Sequence, residues 1–277
     1  MKAIDLHTHS TASDGTFTPE EVIKAAVEAG LSAVALTDHD TLAGLDEAME
    51  AARAYHIRCI PGIELSSDYK GRDIHIVGLG LDLSDPDLPK AIQSLLRRRD
   101  QRNEKIIQKM QNAGIDITMD KLRQRYGDAV ITRANFARYL TGVGFCSSIS
   151  EVFDRYLGPG MPFYVSKEPV SPAEVIAIIR HANGIPVLAH PLAYGMDLKE
   201  LKTFIEMLKP AGLKAMEVFY STHTPEDERN MRRLAEKTGL YMSGGSDFHG
   251  AAKPAISIGK GLGHLFVPEE LMTKMGL

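Results

Sequence analysis

Seven short apolar runs, AIDLH, SAVALTDH, RCIPGIELS, IHIVGLGLD, IPVLAH, AMEVFY and LYMSGGSDFH, punctuate the chain, and amphipathic stretches with helix-start and helix-stop signals separate most of them. In TPEEVIKAAVEAG, Thr18 reads as an N-cap, Pro19 as the first helical residue, Glu21 as the far half of a capping box and Gly30 as the stop. The same grammar recurs from Ser171 to Gly184 and from Thr224 to Gly239. Strands alternating with helices in this way make βα units around a parallel sheet or barrel. One stretch, residues 87–165, breaks the alternation with nearly unbroken helical periodicity. The expected organisation is an α/β body in two parts, 1–86 and 166–277, with a helical insertion at 87–165 between them.

The strands share a second feature that composition does not explain. The first ends at His7 and His9, the second at Asp38 and His39, the third at Glu64, the fifth at His190, and the last runs into Asp247 and His249. Asp14 follows the first strand in a loop rich in Ser, Thr and Gly. Carboxyl ends of strands and the loops after them form the active face of such folds, so residues distant in sequence converge there. His75 stands at the start of its run and fits only if that strand runs the other way. His7 and His9 are two apart and therefore point to one side of an extended strand. A single buried His is usually satisfied by a carbonyl, but six of the ten histidines fall in this set, beside three or four carboxylates. Imidazole and carboxylate without thiolate suit Zn²⁺, Mn²⁺ or Fe²⁺. So many ligands imply two or three ions, and ions clustered about 3.5–4 Å apart hydrolyse phosphoesters and amides.

Composition narrows the setting. Cys59 and Cys146 show no CxxC spacing, which argues against a disulfide framework or a zinc knuckle. The first residues, MKAIDLH, put an acid and a His where a signal peptide needs an apolar stretch, and no run approaches the roughly 20 apolar residues of a membrane span. A cytoplasmic protein without membrane contact is expected. Residues 90–167 hold 14 Lys or Arg against 7 Asp or Glu, so in a chain of net charge −4 the remainder carries −11. That asymmetry suggests carboxylate ligands in the body and an anionic partner near the basic segment. Within the segment, LLRRRDQRNEK reads as the solvated face of a helix.

Five motifs in order, DLHTHSTASDG, LTDHDT, GIELS with the later IHIVGLG, AHP and GGSDFHG, resemble those of the PHP (polymerase and histidinol phosphatase) family from residue 3 to 250, the insertion apart. The resemblance implies a distorted (β/α)7 barrel with metals at its C-terminal mouth. It assigns His7, His9, Glu64 and Asp247 to one ion, Glu64, His75 and His190 to a second, and Asp14, His39 and His249 to a third. Asp38 is expected to orient a ligand, Asp40 and Thr41 to cap their loop. Mn²⁺ is the expected metal, with Zn²⁺ and Fe²⁺ as alternatives.

The segments ITRANFARYL and VFDRYLGPGMPFYVSK are similar to the branch that removes the 3′-phosphate from nucleoside 3′,5′-bisphosphates. Attack by a metal-bridging hydroxide is the implied route, and His39, His249, His223 and Arg133 are expected to carry the catalysis. Thr132 caps the helix beginning near Arg133, an anion site in the making. Asn135, Arg138, Tyr164 and Lys167 are further substrate contacts, and His223 is expected to stand exposed on the same face. Phe136 and Tyr139 belong to the core. A nucleotide is the expected partner. Exonucleolytic attack on short 5′-phosphorylated RNA and hydrolysis of histidinol phosphate are the alternatives.

Overall fold

Lys70 and Gly71 both take positive φ, 55° and 77°, the geometry of a two-residue type I′ turn that folds a strand straight back on its neighbour. It joins β3 (Arg58–Tyr69) to β4 (Arg72–Leu79) as an antiparallel hairpin. The computed structural model describes residues 2–166 and 170–277. The other strands are β1 (Ala3–Thr8), β2 (Ala33–Leu36), β5 (Ile185–Leu188), β6 (Ala215–Tyr220), β7 (Tyr241–Gly245) and the two-residue β8 (Val267–Pro268). They form one mixed sheet in the order β7-β6-β5-β4-β3-β2-β1-β8. Pairing is parallel except where β4 lies between β3 and β5 and where β8 flanks β1. The first seven strands fall on the seven apolar runs. Reversal of β4 settles the position of His75: its strand begins where its neighbours end.

The two ends of the seven-stranded part meet. Asp247 N–H donates to His7 O at 2.9 Å, and His9 N–H donates to Phe248 O at 2.9 Å. Thr8 and Phe248 form a parallel bridge there, so the sheet nearly closes into a barrel. Its core is aliphatic, with Ile63, Leu65, Ile74, Ile76 and Leu79 fully buried. The outer helices start as the sequence dictates. Capping boxes open α1 (Pro19–Glu28), α7 (Pro172–His181) and α9 (Pro225–Thr238), and an N-cap of this kind contributes about 1 kcal/mol. The body is completed by α2 (Leu45–Tyr55), α8 (Leu198–Leu208) and α10 (Glu270–Met275).

Between β4 and α7 the chain forms α3 (Leu88–Asn112), α4 (Met119–Tyr126), α5 (Arg133–Gly142) and α6 (Ile149–Val152). These helices pack on a buried cluster of their own that includes Ile106, Met110, Leu122, Phe136 and Leu140. Phe136 is completely buried, and Tyr139, nearly so, donates its hydroxyl to Asp116 O at 3.0 Å. Among the described residues no helix is long and apolar enough to cross a membrane. Lys167 lies outside the described residues.

Candidate metal centre and active site

Strand alternation aims His7 and His9 the same way, and their Nε2 atoms come within 3.1 Å of each other. Glu64 Oε2, from β3, lies 3.2 Å from both, and Asp247 Oδ1 lies 3.7 and 3.4 Å from them. Atoms bound to one ion at about 2.0–2.2 Å stand roughly 2.8–3.6 Å apart in octahedral or tetrahedral arrangements. The His7, His9 and Glu64 atoms fit a shared ion on that measure, and Asp247 Oδ1 stands at the edge of the set.

The other face of the Glu64 carboxylate meets a second set. Its Oε1 lies 2.9 Å from His75 Nδ1 and 3.0 Å from His190 Nε2. The hairpin register makes this local, since Ser66 pairs with His75 and places Glu64 and His75 diagonally on one face. Around Asp14 gathers a third set: His249 Nε2 at 3.2 Å, His39 Nε2 at 3.8 Å and His9 Nδ1 at 3.9 Å. His9 therefore touches two sets. His39 does so too, with its Nδ1 3.1 Å from Glu64 Oε2. Despite these close approaches, the buried Nδ1 atoms of His9 and His39 make no hydrogen bond of good geometry among the described residues, a cost that an ion or its water would relieve.

The charges are arranged in alternation. Burial alone would raise Asp14, but His39 and His249 hold its carboxyl well below the usual range. Glu64 and Asp247 are likewise depressed against burial, by His39 and His7 in one case and by Lys253 and His249 in the other. Burial opposes charge on the rings as well. Asp247 and Glu64 nevertheless raise His9 to about 9, and Glu64 and Asp73 raise His75 to about 9. His39 is pushed down to about 3 by burial, and His249 is lowered by burial and by His9. Two backbones near the cluster are strained. His190 and Asp247 have φ of 26° and 56°, conformations costing about 1–3 kcal/mol each.

Three supports, Glu217, Tyr220 and Lys253, were not anticipated. Glu217, buried in β6, takes His7 Nδ1 on Oε1 at 2.8 Å and the His190 backbone N–H on Oε2 at 2.5 Å. A lone acid inside the apolar run AMEVFY is its signal in the sequence. Tyr220 and Lys253 both donate to Asp247 Oδ2, at 2.7 and 2.6 Å, leaving Oδ1 to face His7 and His9. Asp38 accepts from Ser10 N–H, Ser10 Oγ and Ser13 Oγ at 2.8, 2.6 and 2.5 Å, which fixes the loop carrying Asp14. Asp40 pairs with Arg99, and Thr41 Oγ1 caps Ala43 N–H.

The helical segment supplies cations. Arg99 and Arg102 are only 8% and 4% exposed. The expectation that LLRRRDQRNEK is simply a solvated face is thus corrected for these two, which continue the buried stripe of Ile92, Leu95 and Ile106 at helical spacing. Arg99 is held by Asp40 and Ser66, and Arg133 by Asp73. Arg102, by contrast, has no carboxylate in ion-pair contact among the described residues, and its buried Nε is unpartnered. Burial and the neighbouring Arg99 and Arg133 lower it to about 9. These three arginines line a cavity of 140 Å³ that also touches Asp14, His39 and His75. Thr132 caps α5 and donates to Asp14 Oδ2 at 2.9 Å.

Other expected contacts fall differently. Asn135 is fully buried and closes the α5 capping box with its side-chain oxygen on Thr132 N–H at 2.8 Å. It is not among the residues lining the cavities at the cluster. Its amide oxygen is spent on the helix end, while its buried Nδ2 has no partner among the described residues. His223 is buried, not exposed: the loop after β6 folds it inward, and Nδ1 bonds Val218 O at 2.8 Å. The ring of Tyr164 lies 5.9 Å from the Arg133 guanidinium. Arg138 reaches a larger cavity, of 340 Å³, on the same cluster.

Comparison with known proteins places this arrangement. Residues 5–159 match the PHP domain. The chain is 40% identical over 248 residues to a 5′-3′ exoribonuclease of Haemophilus influenzae, covering 90% of each. It is 36% identical over 260 residues to a 3′,5′-nucleoside bisphosphate phosphatase of Chromobacterium violaceum, covering 94% of this chain and 91% of that one. A solved amidohydrolase from Chromobacterium violaceum, with bound sulfate and no metal, superposes with a TM-score of 0.87 at 35% identity, over 98% of this chain and 96% of that one. The chain belongs to the PHP family.

Proposed function

We propose that this PHP-family chain is a metal-dependent phosphoesterase that removes the 3′-phosphate from nucleoside 3′,5′-bisphosphates. The observation that carries the substrate choice is Arg102, a buried guanidinium with no carboxylate in ion-pair contact among the described residues, in a cavity that also touches the histidine–carboxylate cluster. A buried cation is stable only with an anion to pair it, and the second phosphate of a bisphosphate is that anion. The names of two relatives, one a bisphosphate phosphatase and one an exoribonuclease, support the same class of substrate.

In this reading His7, His9, Glu64 and Asp247 hold one ion, with Glu64, His75 and His190 on a second and Asp14, His39 and His249 on a third. The thiolate-free donor set suits Mn²⁺. Divalent ions there supply Lewis-acid stabilisation of phosphoryl oxygens and lower the pKa of the attacking water. The protein's own groups do the rest. Glu217 fixes the His7 ring so that Nε2 presents a lone pair. Tyr220 and Lys253 hold Asp247 to one free oxygen. Arg102, with Arg133 and the N–H groups at the start of α5, grips the 5′-phosphate and so sets which ester stands over the cluster.

Phosphate release should be measured over 2′-, 3′- and 5′-mononucleotides, 3′,5′-bisphosphates and histidinol phosphate with Mn²⁺ supplied. Bisphosphates should lead, and Arg102→Met should lower kcat/KM for them by roughly 10–150-fold, the worth of one charge-assisted hydrogen bond of about 1.5–3 kcal/mol. Preference for histidinol phosphate in the parental chain overturns the reading.

A further inference from the structure

The two cavities at the ligand cluster share five wall residues, Asp14, His39, His75, Ala134 and Phe153. The first three belong to the ligand sets. Of the two from the helical segment, Ala134 offers a methyl group and Phe153 an unsubstituted ring. The backbone under that ring is irregular. α6 runs on into a π-helical turn, Phe153–Leu157, closed by Gly158 N–H donating to Phe153 O at 2.8 Å. A Cβ at Gly158 would stand 2.5 Å from that oxygen, so the turn depends on glycine there. Such turns are rare and concentrate at functional sites.

Phe153 is half-buried and packs on the apolar cluster of the helical segment. Its aromatic neighbours in that segment, Phe145, Tyr156 and Phe163, pair with one another, and among the described residues none pairs with Phe153. The one other Phe or Tyr in these walls is Tyr220, in the 340 Å³ cavity. The Tyr220 ring already has those of His190 and His223 beside it, at 5.7 and 5.5 Å, and its hydroxyl is on Asp247. Phe153 is therefore the aromatic wall with no ring against it. Ile149, Ala134, Ala193 and Ala252 extend the apolar surface around it. The arginines of the site answer to phosphate. A nucleobase calls for a flat apolar partner, because its faces stack and any base can do so.

We propose that Phe153 is the platform on which the nucleobase of the substrate stacks, and that it sets the base preference of the site, purines ahead of pyrimidines. The inference rests on the function proposed above, since it takes one phosphate to lie at Arg102 and the other over the cluster. A purine covers more of a phenyl ring than a pyrimidine does, so the preference follows from stacking strength. No Asn, Gln, Ser or Thr that would read a base edge lines the 340 Å³ cavity. Phe153 thus acts on specificity by touching the base, at a distance from the reacting phosphorus.

The test compares kcat/KM for adenosine 3′,5′-bisphosphate and for 1-deoxyribose 3,5-bisphosphate, the same sugar with hydrogen in place of the base, with Mn²⁺ supplied. Phe153→Ala should lose roughly 5–150-fold on the first, the range of one base–aromatic stack, and nothing measurable on the second. Phe153→Leu keeps an apolar side chain against the helical cluster and should show the same split, which decides the matter if thermal denaturation finds Phe153→Ala unfolded. The parental preference for adenosine over uridine 3′,5′-bisphosphate should vanish in both variants. A second readout is spectroscopic. The chain has no Trp, so Phe153→Trp puts a single indole at the platform. Its emission should fall with adenosine 5′-monophosphate, the product, and stay unchanged with ribose 5-phosphate. Equal losses on both bisphosphates, no loss on either, or an indole blind to adenine overturn the platform. So does a parental chain that hydrolyses the base-free compound as fast as the adenosine one, an outcome that spares the proposed function. A parental chain inactive on both overturns that function itself.

Discussion

Replacing Glu217 by Gln changes one atom of a buried side chain, and its effect can be worked out in advance. The carboxylate accepts two bonds, from His7 Nδ1–H at 2.8 Å and from the His190 N–H at 2.5 Å. An amide of the same shape has one acceptor oxygen and an NH₂ group that must face the other donor. One charge-assisted bond is lost, about 1.5–3 kcal/mol, and the ring of a metal-facing histidine loses its anchor. Removing such a partner costs about 10–100-fold in metal affinity, in line with that energy. A second effect opposes it. Glu217 and Glu64 together hold the metal-free His7 protonated well above its ordinary value, against burial, so an ion entering the parental site must expel that proton, at about 1.36 kcal/mol per pH unit below the pKa. In the variant the proton is held less tightly. The deficit in Mn²⁺ affinity, measured by calorimetric titration of metal-free protein, should therefore be small at pH 6.5 and widen as pH rises. A deficit that stays constant with pH, or widens as pH falls, would refute the reasoning. With metal in excess, turnover should return, because Glu217 acts through His7 and does not touch substrate.

Three further outcomes are expected. Asp247→Asn should remove turnover, since Oδ1 faces His7 and His9 while Oδ2 anchors Tyr220 and Lys253; full activity in this variant removes the metal reading. Metal-free protein should lose stability between pH 6.5 and 9. His9 and His75 are raised to about 9 in the folded state, so their contribution is complete below the unfolded value near 6.5 and is lost as pH climbs through 9. His39, depressed to about 3, acts only below about pH 6.5, so a Tm in chelator that is flat or rising over 6.5–9 contradicts this. Finally, Phe136→Ala, at a completely buried position in the helical segment's own cluster, should cost about 3–5 kcal/mol in chemical denaturation. A loss below 1 kcal/mol would mean that this cluster does not hold the helices together.

The clustering of these histidines and carboxylates was readable from sequence because metal chemistry restricts residue type and strand geometry restricts position. His7, His9, His39, Glu64, His190, Asp247 and His249 all lie at or just past the ends of apolar runs. The direction of β4 was not readable from the runs themselves, because it depends on Lys70 and Gly71 alone, two residues whose positive φ reverses the chain. Arg99 and Arg102 were hidden for another reason. Arginine normally marks a solvated helix face, and only the register they share with Ile92 and Leu95 shows that they point inward. Exposure of His223 was misjudged, because the loop after β6 turns it inward. Asn135 and His223 each spend one side-chain atom locally, on Thr132 and Val218, while Asn135 Nδ2 and His223 Nε2 have no partner among the described residues. Grouping of ligands was the subtlest matter. The resemblance assigns each histidine to one set and only Glu64 to two, whereas His9 and His39 have two ring nitrogens and reach two.

The barrel's closing seam lies at its chemistry. β1 and β7 are joined near the mouth by the backbones of His7, His9, Asp247 and Phe248, and Gly245 alone permits their approach, for a Cβ there would come within 2.5 Å of His7. Residues from the two extremes of the chain thus meet in the first ligand set only where that seam is closed. Hydrolysis then becomes a certificate of closure: a molecule with an open seam lacks Asp247, one of the four residues of its first donor set. Conversely, an ion seated there acts as a clasp across a loop of nearly the whole protein, the kind of cross-link whose entropic benefit grows with the length it closes.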